Sequence, residues 1–199
     1  VGQSGTDSIT VSVNGKPTAP EIAITPNPSP SGERLTAEVT TESVDPEGEP
    51  VTYDFQWFRD GAAYAAEAVS AVVPAGITKR DEYWEVVVTP RDPHGTGEPA
   101  TTAITIGNSA PQVDSVTINP FSPRTTDDLT AVPSGWFDQD DDLQDYEYSW
   151  EINGEVDVEE VSATYPSDKT MRDDNVRVTI TPIDDYTAGE PVASSLFTI

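Results

Sequence analysis

The sequence has no cysteine, one histidine, one methionine, and 10 basic residues against 36 acidic ones. Without cysteine there are no disulfides, no thiolate metal sites and no cysteine nucleophile, and the redox compartment stays open. The single histidine, His94, lies in the loop Asp92-Pro93-His94-Gly95, where it reads as a surface residue. One histidine without an evident nucleophile beside it makes no Ser-His-Asp triad. No apolar run approaches the roughly 18–20 residues that a helical bilayer span needs. A formal charge of −26 opposes binding to nucleic acid or anionic lipid, both polyanions that are bound largely through Lys and Arg. The hydrophobic fraction of 35% is low, and a chain so poor in apolar residues must first be tested for disorder.

An internal repeat answers that test. Tyr53-Asp54-Phe55-Gln56-Trp57 followed by Asp60-Gly61 returns as Tyr146-Glu147-Tyr148-Ser149-Trp150 followed by Asn153-Gly154, at an offset of 93. Leu35-Thr36-Ala37 matches Leu129-Thr130-Ala131, and Ala19-Pro20 matches Ala110-Pro111. Val86-Val87-Val88-Thr89-Pro90 matches Val178-Thr179-Ile180-Thr181-Pro182, and Gly97-Glu98-Pro99 matches Gly189-Glu190-Pro191. Two domains are expected, 15–108 and 109–199. Residues 1–14 read as the terminal strand of a preceding repeat, since Ile9-Thr10-Val11-Ser12-Val13 resembles the closing strand 102–106. With no initiator Met and no signal peptide, the chain is expected to be a piece of a longer repeat array.

The apolar residues alternate with period 2, the mark of half-buried strands. Tyr53, Phe55 and Trp57 fall on one face of an extended segment, and Tyr146, Tyr148 and Trp150 do so in the second copy. Asp60-Gly61 and Asn153-Gly154 tolerate the positive φ angles of a tight hairpin. About seven strands are expected per copy, near 20–25, 34–41, 51–59, 62–66, 68–73, 82–89 and 99–106, with equivalents 91–94 residues later. The Ala-rich stretch 62–72 is the place where a helical turn competes. Pro90 and Pro182 are expected to end their strands, because a missing N–H interrupts a ladder.

Some 90 residues, seven strands and a Trp on the third strand describe an immunoglobulin-like sandwich lacking the usual disulfide. The fold class expected is all-β: two tandem immunoglobulin-like Greek-key β-sandwiches, preceded by the last strand of a third repeat. The runs at 30–36, 45–47, 53–57 and 86–90, repeated at 123–130, 138–140, 146–150 and 178–182, resemble the tandem Ig-like repeats, related to PKD and cadherin-like domains, of large bacterial and archaeal surface proteins. That resemblance implies a secreted, cell-surface protein with an adhesive or spacer role, and it implies no catalysis. Its partners would be neighbouring repeats of the same chain, with a glycan or surface protein at most, no nucleic acid and no membrane insertion. The rival expectations are a glycan- or protein-binding module and a subunit of an extracellular filament or virion decoration. For the binding module, Trp84 and Trp136 are the better surface candidates, because neither is repeated, although both fit local core as well.

The acidic loops carry the remaining chemistry. Asp45, Glu47 and Glu49 precede the third strand of the first copy, and Asp138, Asp140, Asp141 and Asp142 that of the second. In an extended loop, alternate residues point to one side, so Asp138, Asp140 and Asp142 can converge. In this fold the loop before the third strand shares an end with the loop after the sixth, which carries Asp92 in one copy and Asp184-Asp185 in the other. Carboxylate oxygens suit Ca²⁺, which takes six to eight of them. The expected ligands are Asp45, Glu47 and Asp92 in the first copy and Asp138, Asp140, Asp142 and Asp184 in the second. Asp81 is expected to reach across the short linker 107–110, so that Ca²⁺ stiffens the junction. The bland alternative is a solvated acidic loop. Residues 15–108 carry a net charge of −9 and residues 109–199 one of −16, which keeps exposed strand edges apart.

Overall fold

The computed structural model describes residues 13–64 and 70–199. Residues 1–12 of the expected leading strand, and 65–69 of the Ala-rich stretch with its strand and helical-turn alternatives, lie outside the described residues. The chain divides into two compact units. The first comprises Val1–Ser29, Arg34–Ala75 and Glu82–Thr105, and the second Pro30–Glu33, Gly76–Asp81 and Ile106–Ile199.

The first unit is a β-sandwich. One sheet has the order β1 (Glu21–Thr25), β2 (Leu35–Thr41), β5 (Val72–Val73), and the other β4 (Ala62–Ala63), β3 (Thr52–Arg59), β6 (Tyr83–Arg91), β7 (Ala100–Thr105). All pairings are antiparallel. The chain therefore changes sheet between β2 and β3, again between β4 and β5, and once more between β5 and β6, the Greek-key pattern of immunoglobulin-like domains. The β6 strand shows the period-2 signal most cleanly: Trp84, Val86 and Val88 are buried, while Glu85 and Val87 are less so. Trp57 lies beside them on β3, and the other sheet contributes Ile24, Leu35, Ala37 and Val73.

The second unit repeats the plan. The sheet β12 (Thr164–Tyr165), β9 (Leu129–Ser134), β8 (Ser115–Asn119) packs with β11 (Glu155–Asp157), β10 (Asp145–Ile152), β13 (Asn175–Ile183) and a last strand split into β14 (Val192–Ala193) and β15 (Phe197–Thr198). The split falls at Ser194, whose Oγ takes over the ladder by accepting from Val178 N at 3.1 Å. Its core is Val116, Ile118, Leu129, Ala131, Trp150, Tyr165, Val176, Val178 and Ile180, with Val113.

Both repeated Trp side chains are buried, and each indole N–H finds a backbone carbonyl. Trp57 Nε1 donates to Ser70 O at 3.1 Å and Trp150 Nε1 to Ser162 O at 2.9 Å. The hairpin turns take left-handed φ angles at Asp60 (50°), Gly61 (78°), Asn153 (54°) and Gly154 (88°), as two-residue hairpin loops require.

One expectation is corrected. Neither Pro90 nor Pro182 ends its strand: β6 and β13 run through them, in register with Tyr53 and Tyr146. The reason lies in the ladder. The Pro90 carbonyl accepts from Gly97 N at 2.9 Å and the Pro182 carbonyl from Gly189 N at 2.8 Å. In an antiparallel strand the N–H and C=O of one residue point the same way, so each missing N–H lies on that loop side, away from β3 or β10.

Candidate metal centre at the acidic loops

The loop before β3 is not extended. It coils around Asp45, whose Oδ1 accepts from Glu47 N at 2.9 Å and Glu49 N at 3.0 Å, while Gly48 turns through φ 78°. Coiling brings residue i beside i+4, so Glu49 rather than Glu47 joins Asp45. The loop after β6 is pinned in the same manner: Asp92 Oδ1 accepts from the N–H groups of His94 and Gly95, both at 2.6 Å. Asp45, Glu49 and Asp92 thereby offer one carboxylate oxygen each, all within 4.8 Å of one another. Asp45 is 5% exposed, and its Oδ2, like Oε2 of Glu49, is buried with no hydrogen-bond partner. Asn14 Nδ2 donates to Asp92 Oδ2 at 3.1 Å, and His94 Nε2 stands 3.2 Å from Glu49 Oε1. Glu47 is outside the cluster, with its Oε2 accepting from Gly15 N at 2.9 Å. A cleft of about 390 Å³, lined by Val13, Asn14, Glu47, Glu49 and His94, opens beside it.

The second unit repeats this plan, with one loop bond fewer at its first carboxylate. Asp138 Oδ1 accepts from Asp140 N at 2.6 Å, and Asp141 takes the left-handed φ (59°) that Gly48 takes in the first unit. Asp184 Oδ1 accepts from the N–H groups of Tyr186 and Thr187 at 2.6 and 2.5 Å, and its Oδ2 from Asn108 Nδ2 at 2.9 Å. Asp138, Asp142 and Asp184 form the second cluster within 4.8 Å, and Asp138 Oδ2 is buried without a partner. Asp140 does not converge with them. Its carboxylate accepts from Ser31 Oγ at 2.7 Å, Ser109 N at 2.8 Å and Arg80 N at 3.2 Å.

Among the described residues, the second cluster has a component with no counterpart in the first. In the second unit the Arg80 guanidinium donates to both carboxylate oxygens of Asp142 and to Asn108 Oδ1 at 2.7 Å, and it lies 4.1 Å from the centroid of the Tyr186 ring. The hydrogen bond to Asp142, against the cost of burial, holds Arg80 even more firmly charged than a free arginine. Asp81, expected at this place, turns away: its side chain is 89% exposed and touches Arg80 Nε at 3.9 Å. The position of Arg80 had no signal in the sequence beyond its repetition as Arg172. Asn14 and Asn108 were likewise missed, since a lone Asn in a linker has no pattern to single it out.

Burial works against ionisation of Asp92 and Asp184, yet both carboxyls sit below the usual range. For Asp92 the hydrogen bonds from Asn14 and from the backbone of His94 and Gly95 prevail, with the nearby imidazole charge adding to them. For Asp184 those from Asn108, Thr187 and Tyr186 prevail, helped by the Arg80 charge. Both groups are therefore held in the ionised form as hydrogen-bond acceptors.

Of the candidate stacking rings, Trp84 is wholly buried, its ring centroid 6.3 Å from that of Trp57. Trp136 is half-buried with its ring edge-on to Tyr146 at 5.5 Å, beside an exposed Phe137.

No protein family and no curated protein matches the chain. Solved structures similar to it include a segment of two fibronectin type-III domains from chicken tenascin, at 9% identity over 94% of this chain and 100% of that one, TM-score 0.44. The FN1–FN3 domains of chicken CNTN1 align at 13% identity over 92% and 67%, TM-score 0.35. Fibronectin(III)-like modules of Clostridium thermocellum CbhA align at 14% over 90% and 94%, also with a TM-score of 0.35. Among the described residues no helix is long and apolar enough to cross a membrane.

Proposed function

We propose that the chain is a non-catalytic structural and adhesive repeat segment of a larger secreted or cell-surface protein, a semi-rigid spacer whose acidic loops take calcium. The observation that carries this reading is where the repeated signature goes. Trp57 and Trp150, the most conspicuous residues of the repeat, are core residues whose indole N–H groups donate to the carbonyls of Ser70 and Ser162, so what the sequence preserves between copies is a sandwich rather than a reactive surface. A reactive site would need a nucleophile and base within reach of each other. The sole histidine instead meets Glu49 through its ring and Asp92 through its backbone.

Calcium suits the loops because the donors are hard oxygens held in place by backbone N–H groups. Extracellular calcium modules bind at roughly 10⁻⁴–10⁻³ M, and an ion at about ten times its Kd adds only ~1.4 kcal/mol. That amount stiffens a loop without being required to fold a domain.

Extension of single molecules by atomic force microscopy tests the spacer reading. Two unfolding events are expected, each releasing about 90 residues, or on the order of 30 nm of chain at ~3.4 Å per residue. A single event spanning the whole chain, or yielding with no resolvable force, would refute a load-bearing repeat.

A further inference from the structure

The calcium reading treats the two acidic clusters alike, but their acceptors are not equally free. In the second cluster both oxygens of Asp142 are engaged by the Arg80 guanidinium, both oxygens of Asp184 accept hydrogen bonds, and Asp138 Oδ2 alone is unpartnered. In the first cluster two buried oxygens are unpartnered, Asp45 Oδ2 and Glu49 Oε2, and Asp45 is 95% buried, being 5% exposed. The ring beside them is the imidazole of His94, where the second cluster has Tyr186 beneath the Arg80 guanidinium. Buried acceptors left without a donor are destabilising, and more so when charged. A binding partner that satisfies both at once is correspondingly favoured.

We infer that the Asp45–Glu49–Asp92 cluster is the calcium site of this chain, and that in the Asp138–Asp142–Asp184 cluster the guanidinium of Arg80 occupies the cation's place. The inference rests on the calcium reading and narrows it to one site. In the first unit the ion takes Asp45 Oδ2 and the Glu49 carboxylate as its principal ligands, with Asp92 on the third side. The adjoining cleft of about 390 Å³ has room for the waters that complete six to eight oxygens. In the second unit a guanidinium tethered by the chain neutralises the same three-carboxylate geometry permanently, in the bidentate fashion that arginine alone provides.

Calorimetric titration of the metal-stripped chain with CaCl₂ tests this, carried to about 10 mM, tenfold above the upper Kd expected for such modules. One ion per chain is expected. Glu49→Gln removes an ion ligand without touching the backbone bonds that shape the loop, and it should abolish binding, as should Asp45→Asn. Asp138→Asn should leave the titration unchanged, and Arg80→Gln should raise the stoichiometry to two. Circular dichroism checks that each variant is folded. Two ions in the unmodified chain, or loss of binding in Asp138→Asn with retention in folded Glu49→Gln, overturns the assignment while sparing the calcium reading. No binding by any of the proteins refutes the calcium reading as well.

Discussion

Single residues decide how the second unit responds to acid. Asp157 accepts from Lys169 Nζ at 2.9 Å, from Glu159 N at 3.0 Å and from the Tyr165 hydroxyl at 3.0 Å. The lysine and the backbone N–H, against the cost of burial, hold its carboxyl below the ordinary 3.8, and burial together with this carboxylate pushes the Tyr165 phenol up. Asp128 is held low by Ser167, whose backbone N–H donates to it at 2.8 Å. A carboxyl depressed by folding binds fewer protons in the native state than in the unfolded chain. Its stabilisation is therefore complete above the unfolded pKa of about 4 and is lost as pH falls through the lower, folded value. Chemical unfolding midpoints should hold steady between pH 7 and about 5 and decline below about pH 4. The decline should be shallower in Asp157→Asn. Parallel profiles for the two proteins would remove Asp157 from the account.

At the scale of elements, the repeated Gly-Glu-Pro has a packing cause. A Cβ on Gly97 would come 2.1 Å from Pro17 O, and one on Gly189 would come 1.8 Å from Pro111 O. Each is a close approach of backbone to backbone, which only glycine permits. The same residues supply the N–H groups that meet Pro90 O and Pro182 O, tying the loop after β6 or β13 to its own strand. Gly97→Ala and Gly189→Ala should each cost about 1–3 kcal/mol through forced displacement of backbone. Gly95→Ala, in the same loop with nothing within 4 Å of its Cβ, should be close to neutral. Urea unfolding of the three variants checks the contrast, and equal losses would mean that loop flexibility rather than close approach is responsible. Each three-carboxylate cluster is also an element-scale product. Coiling of the loop around Asp45 or Asp138 pairs i with i+4, whereas alternation along an extended loop would have paired i with i+2.

Over the whole molecule the charge of −26 works against compactness, since like charges repel more strongly in the folded chain. Screening should relieve it. Between about 10 mM and 1 M salt the Debye length falls from ~30 Å to ~3 Å. In the presence of a chelator, so that divalent cations play no part, the thermal midpoint should rise with NaCl. Each kcal/mol of relieved repulsion moves the midpoint of a 60–100-residue domain by about 4–8 °C. A midpoint that falls with salt would mean that attractive pairs such as Arg80 with Asp142 and Lys169 with Asp157 outweigh the net repulsion.

What the amino-acid sequence determined alone was everything that depends on local period and local turn chemistry. The alternation of apolar residues dictates strands, Asp60-Gly61 and Asn153-Gly154 dictate hairpins, and a signature returning after 93 residues dictates the same sandwich twice. The neighbourhood of Asp45 with Asp92, and of Asp138 with Asp184, was legible too, because the connectivity of such a sandwich puts those loops at one end. Tertiary structure decided the rest. It chose Glu49 over Glu47, sent Asp140 to Ser31 and Ser109, turned Asp81 to solvent, and set Arg80 against Asp142. It also let β6 and β13 continue through Pro90 and Pro182. Each of these outcomes turns on which side of the backbone a group faces and on which group from a distant part of the sequence meets it there. Residue spacing along a chain contains no information on either until the loops have closed.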